Sequence, residues 1–200
     1  MRKATVVRKT KETEITVKLN LDGKAKSKIR TGIGLLDHML ELFAFHGLFD
    51  LEIFAKGDLK VDIHHTNEDV GIVLGQAFKK ALANKAGIRR FGSATVPMEE
   101  VVANLAIDIN GRGFFKLNQD SRGGTATKPS DGYALKDAEH FFDAFANNLG
   151  ANLVIGIKPS IADLHTTLEP VFKALGVALD QATIIDPRRK GVPSTKGIID

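Results

Sequence analysis

Cysteine is absent from the 200 residues, which excludes disulfides, thiolate zinc sites and cysteine nucleophiles. A transition metal held by this chain must therefore use histidine and carboxylate ligands. Tryptophan is also absent and tyrosine occurs once, leaving few rings on which nucleobases could stack. No apolar run approaches the roughly 18 residues of a membrane span. The start, Met1-Arg2-Lys3-Ala4-Thr5, runs into Arg8, Lys9 and Lys11 without an apolar segment. No secretory signal and a cytoplasmic location are expected.

What is present is ordinary for a globular protein: 43% hydrophobic and 26% charged residues. The length suits one large domain or two small units sharing a core. The net charge is +4. Its basic residues are scattered, with small clusters only at 24–30 and 188–190. That distribution fits a small phosphorylated substrate better than a nucleic acid.

Periodicity gives the same order of elements twice. Residues 4–8 and 13–21 read as strands, because Glu12-Thr13-Glu14-Ile15-Thr16-Val17-Lys18-Leu19 alternates with period two. Leu35, Leu36, Met39, Leu42 and Phe43 fall at helical spacing over 35–46. Strands are expected at 48–55 and 59–63, then a helix over 68–86 with Thr66 as cap and Asp69 completing the box. In the second half, strands are expected at 101–109, 113–117 and 152–157, and helices at 138–148 and 168–182. The Gly-, Ser- and Thr-rich stretch 118–130 reads as a loop. The expected fold is α+β: two half-domains, residues 1–92 and 93–200, each a small mixed sheet with two helices on one face, forming one compact domain.

The histidines follow the repeat. His38 lies 26 residues before His64 and 30 before Glu68, while His140 lies 25 before His165 and 29 before Glu169. At a helix start, His-x-x-x-Glu puts imidazole and carboxylate on one face, within reach of one ion. The stretch Asp62-Ile63-His64-His65-Thr66-Asn67-Glu68-Asp69 holds two imidazoles and three carboxylates. Nitrogen and oxygen donors without thiolate suit Mn, Fe or Zn. A lone helical histidine is more often a core residue; matching places in both halves raise His38 and His140 to candidate ligands.

Several stretches resemble the imidazoleglycerol-phosphate dehydratase family. They are Thr31-Gly32-Ile33-Gly34-Leu35-Leu36-Asp37-His38, His46-Gly47-Leu48-Phe49-Asp50, Asp62-x-His64-His65-Thr66-x-Glu68-Asp69, Arg90-Phe91-Gly92, Asp108-Ile109-Asn110-Gly111-Arg112, Glu169-x-x-Phe172-Lys173-Ala174 and Pro193-Ser194-Thr195-Lys196-Gly197. The resemblance implies a duplicated α+β fold like part of the GHMP kinases, although their Gly-rich phosphate loop is missing here. It implies two manganese ions per active site, bound by His38, His64, His65, Glu68, His140, His165 and Glu169 from neighbouring subunits of a 24-subunit homo-oligomer. Substrate contacts would come from Glu12, Asp37, His38, His64, His65, Arg90, Arg112, His165, Lys173, Ser194, Thr195 and Lys196. The chain departs from the family where His-His-x-x-Glu becomes His165-Thr166-Thr167-Leu168-Glu169, with Ile161 for a glycine and Pro170 after the glutamate. Such a proline is expected only in the first helical turn, with Thr166 or Thr167 as cap.

The implied reaction is loss of water from D-erythro-imidazole glycerol phosphate to imidazole acetol phosphate, in histidine biosynthesis. Its difficulty is the weak acidity of a carbon with no adjacent carbonyl. Metal at the imidazole ring would withdraw charge, and a carboxylate must move the protons. Glu12 is the first choice, then Glu68 or Glu169. The alternative is a catalytically impaired, metal-assembled relative, which Thr166 supports.

Overall fold

The computed structural model describes residues 2–119, 127–159 and 163–199. The first half runs β1 (Lys3–Lys9), β2 (Thr13–Asn20), β3 (Ser27–Arg30), α1 (Gly34–His46), β4 (Asp50–Gly57) and α2 (His64–Leu82). The second repeats it with β5 (Phe91–Met98), β6 (Val101–Asp108), β7 (Phe114–Gln119), α3 (Leu135–Leu149), β8 (Asn152–Lys158) and α4 (Leu164–Thr183). The sheet orders, β1-β2-β4-β3 and β5-β6-β8-β7, are the same topology, each with one parallel pair at its end. This is the expected duplicated α+β architecture. No described helix is long and apolar enough to cross a membrane.

Alternation makes the sheets. Along β2, Ile15, Val17 and Leu19 point inward; along β6, Val101, Ala103, Leu105 and Ile107 do so. The helices cover these faces and then pack across the halves: α2 on α3, and α1 on α4. Both crossings rest on a glycine. A Cβ on Gly75 of α2 would lie 2.6 Å from the Phe145 carbonyl oxygen of α3, and one on Gly176 of α4 would lie 2.5 Å from that of Phe43 in α1. Gly75 and Gly176 each stand seven residues after the repeated glutamate, and Phe43 and Phe145 each five after a candidate ligand histidine. One packing rule, used twice, thus brings each α1 or α3 histidine to the start of a helix from the other half.

Alanine in a helix interior normally gains about 1 kcal/mol over glycine. Overpacking against a rigid carbonyl costs about 1–3 kcal/mol, so the clash should win. Gly176→Ala is expected to lower the melting temperature by several degrees and to displace His38, which thermal unfolding and metal titration would check.

Several sequence expectations are corrected. Residues 59–63 form no strand: Val61 N–H bonds the Asp58 carbonyl at 2.7 Å, and Asp62 accepts the His64 N–H at 3.2 Å, turning the chain directly into α2. That helix therefore starts at His64, and Thr66 lies buried inside it rather than capping it. Asp69 is engaged elsewhere. In α4, Asp163 is the cap, accepting the Thr166 N–H at 2.8 Å. Pro170 falls beyond the first turn, so the carbonyl of Thr166 loses its usual i+4 donor. The strands β3 and β5 were not expected. The first has one apolar residue, Ile29, among cations; the second contains Gly92 and Pro97, which read as turn signals but sit on an edge strand, where a missing N–H is tolerated. The helices α3 and α4 start earlier than their apolar periodicity suggests. Residues 120–126 of the expected loop, and Ile161, lie outside the described residues.

Candidate functional site

The two crossings assemble two imidazole–carboxylate clusters at equivalent places in the repeat, and among the described residues it is the second that brings one donor atom from each of its three members together. At the first, His64 of α2 places Nδ1 3.1 Å from His140 Nδ1 of α3, and Nε2 3.2 Å from Glu68 Oε2. At the second, Glu169 Oε2 of α4 lies 3.0 Å from His165 Nε2 and 3.9 Å from His38 Nε2 of α1, whose ring stacks on His165 at 5.0 Å. The His-x-x-x-Glu pair of each half thus takes its third member from the opposite half. Spacing alone does not reveal this exchange.

The second cluster has the donors of a cation site. Single ligand atoms of His38, His165 and Glu169 all lie within 4.8 Å of one another. Donors bound about 2.0–2.2 Å from one ion stand at most about 4.4 Å apart, so movements of a few tenths of an ångström would close the set. Two imidazoles and a carboxylate suit a first-row transition metal such as Mn, Fe or Zn. Burial pushes the Glu169 carboxyl up, but Lys173 Nζ, 2.6 Å from Oε1, and the His165 ring outweigh it and leave the group below its ordinary value. The carboxylate is thus held ionised, as a ligand must be.

His65 belongs to neither cluster. Its Nδ1 faces Asp58 Oδ2 at 3.1 Å and Glu12 Oε2 at 3.9 Å. The hydrogen bond to Asp58, with Glu12 nearby, raises the ring above the ordinary imidazole value. Asp58 was missed in the sequence because Lys56-Gly57-Asp58 reads as a turn. Its partner is seven residues away, with no periodic signal to link them. Asp37 is bound locally: its Oδ1 accepts the Thr31 N–H at 2.8 Å and hydroxyl at 2.5 Å, fixing the entry to α1 one residue before His38.

A third group forms a cavity of about 180 Å³ lined by Arg90, Asn110, Arg112, Ser194, Thr195 and Lys196, among others. Arg90 sits at its wall with three of its five N–H donors engaged. It pairs with Asp108 through Nε at 2.6 Å and Nη2 at 3.0 Å, and Nη1 holds the Pro193 carbonyl at 3.0 Å. The Asp108 carboxylate raises Arg90 further above its usual range. Arg90 therefore anchors the tail that carries Ser194, Thr195 and Lys196. Among the described residues, Arg112 and Lys196 have no side-chain hydrogen bond or ion pair. Nor does any such bond join this cavity to the two clusters.

Fold and clusters together define a duplicated α+β enzyme with paired imidazole–carboxylate sites. The chain belongs to the imidazoleglycerol-phosphate dehydratase family, whose model matches residues 31–179. Imidazoleglycerol-phosphate dehydratases of Methanocella arvoryzae and Pelobacter propionicus are 52% and 50% identical to it, over 100% and 99% of both chains respectively. Among solved structures, the enzyme of Pyrococcus furiosus superposes with a TM-score of 0.81 at 33% identity, covering 96% of this chain and 99% of that one. That of Staphylococcus aureus gives 0.79 at 30% identity, over 92% and 99%. The chain is accordingly a hydro-lyase of histidine biosynthesis.

Proposed function

We propose that the protein dehydrates D-erythro-imidazole glycerol phosphate to imidazole acetol phosphate, in the cytoplasm, with two manganese ions per active site. The observation that carries this reading is the converging His38, His165 and Glu169 donors, with His64, Glu68 and His140 at the equivalent places of the repeat, in a chain of this family. His64, Glu68 and His140 would hold one ion; His38, His165 and Glu169 would hold the other. Manganese, when bound, supplies Lewis acidity toward the substrate's imidazole ring. His65 gives its Nδ1 to Asp58 and not to either cluster of its own chain, which supports its serving a neighbouring subunit in a large homo-oligomer, 24 subunits by family resemblance.

Glu12 is the residue to move the proton. Glu169 is clamped by Lys173 and His165, and Glu68 by His64. The carboxylate of Glu12 is largely exposed and lies 3.9 Å from the His65 ring. It would take the proton from the middle carbon of the side chain, one removed from the ring. The hydroxyl on the carbon beside the ring then leaves with a proton as water, and the enol that remains tautomerises to the ketone at the middle carbon. Arg112 and Lys196 would bind the phosphate, with Ser194 and Thr195 hydroxyls beside them. Arg90 would act mainly by holding that tail.

The test is release of imidazole acetol phosphate by the manganese-loaded protein, with loss of turnover and of the large particle in light scattering after chelation. Arg112→Ala and Lys196→Ala should each weaken substrate binding by about 1.5–3 kcal/mol, the worth of a charge-assisted hydrogen bond. Unchanged substrate affinity in both variants would reject this phosphate site. A second reading, a metal-assembled relative without turnover, is favoured by Thr166, whose hydroxyl bonds Asp163 Oδ2 at 2.6 Å. Absence of dehydration at saturating manganese would select it.

A further inference from the structure

Asp69 stands one helical turn after His65 on α2 and is almost buried. It faces the β1–β2 hairpin. Its Oδ1 accepts from Arg8 Nε at 2.9 Å, and Oδ2 accepts from the Thr13 hydroxyl at 2.5 Å. Because an ionised carboxylate only accepts, the Thr13 proton points at Asp69. The Thr10 hydroxyl, 3.2 Å from that of Thr13, must then donate to it. Thr10 Oγ1 in turn accepts the N–H groups of Glu12 at 3.1 Å and of Thr13 at 2.9 Å. A continuous hydrogen-bonded chain therefore joins α2 to the backbone of Glu12.

The second half shows that the fold does not need this chain. Lys3 pairs with Asn20 in the first hairpin as Phe91 pairs with Asp108 in the second. By that register Arg8, Thr10 and Thr13 correspond to Val96, Met98 and Val101. Aligning Glu68 with Glu169 sets Asp69 opposite Pro170. Four polar residues in one half are thus four apolar ones in the other, within the same hairpin-on-helix packing.

We infer that Asp69 is a positioning residue for Glu12, fixing the hairpin tip through Thr13 and Thr10 so that the Glu12 carboxylate faces His65. The inference rests on the reading of Glu12 as the proton-moving group. The test is steady-state dehydration kinetics of the manganese-loaded protein for Asp69→Asn, Thr13→Val and Glu12→Gln, singly and combined. Thr13→Val introduces the residue type of the second half, so it tests the chain of bonds even if Asp69→Asn folds poorly. Asp69→Asn and Thr13→Val should each lower kcat about tenfold, with KM within about twofold and manganese content unchanged. In the Glu12→Gln background neither should lower kcat further. Equal losses in both backgrounds, or loss of manganese in step with kcat, would leave Glu12's role standing and overturn the inference. Glu12→Gln with wild-type turnover would instead reject the reading of Glu12, and the positioning role with it.

Discussion

His64→Ala and His165→Ala are each expected to lose about half of the manganese that the wild-type chain retains at saturation, and to lose turnover by at least about a hundredfold. The stoichiometry follows from the two clusters being separate: His64 is tied to Glu68 and His140, His165 to Glu169 and His38. The rate follows from the several kcal/mol that a Lewis acid contributes to charge stabilisation in a transition state, at about 1.4 kcal/mol per factor of ten. Elemental analysis after manganese loading and dialysis reads the first effect, and product formation the second. Wild-type metal content in both variants would sink the assignment of the clusters. Protons compete for these nitrogens. Asp58 keeps the His65 ring charged to higher pH than an ordinary imidazole, so as the pH falls the contribution of His65 to metal binding should be lost at a higher pH than an ordinary imidazole's would be. For the metal-free protein the sign is opposite. A raised folded-state value adds stability below the ordinary imidazole value, and that stability is lost as pH rises through the raised one.

The duplication was legible because its signals are local: strand alternation, helical spacing and the interval from His38 to His64 matched by that from His140 to His165. What was not legible is which histidine meets which glutamate. Spacing does not say which pair His38 serves. Packing gives it to that of the other half, because Gly176 lets α4 approach α1 at Phe43. That contact joins residues far apart in sequence and leaves no periodic trace. Arg90 shows the same limit. As a residue type it suits phosphate, yet Asp108 and the Pro193 carbonyl take three of its five N–H donors. Thr66 resembles a cap, which predicts a start of α2 four residues later than His64. Only the structure shows it buried behind Gly57, where a Cβ would meet its hydroxyl oxygen.

Thr166→His is expected to raise the affinity of the weaker of two manganese sites, and turnover with it. Position 166 is the repeat partner of His65: each follows the first histidine of its motif and precedes the glutamate by three residues. If His65 is supplied to a cluster of a neighbouring subunit, the corresponding position of the other half offers a hydroxyl instead. A neutral hydroxyl is a poor ligand, and here it is also committed. Both the N–H and the Oγ–H of Thr166 go to Asp163 Oδ2, and these bonds hold the Asp163 carboxyl below its ordinary range. Histidine at 166 would keep the N–H contact, so the cap on α4 survives while the side chain is released. Wild-type titration with manganese should therefore show two classes of site, differing by roughly 10–100-fold, the scale on which metal sites respond to altered ligation. Thr166→His should bring them together. Calorimetry on the metal-free protein reads the affinities, and dehydration at saturating manganese reads the consequence. One affinity class and full turnover in the wild type, with the variant slower, would mean that another group of this chain completes the site and that Thr166 is no defect. Two classes that merge in the variant without any turnover in either protein would leave the metal assignment intact and select the non-catalytic relative.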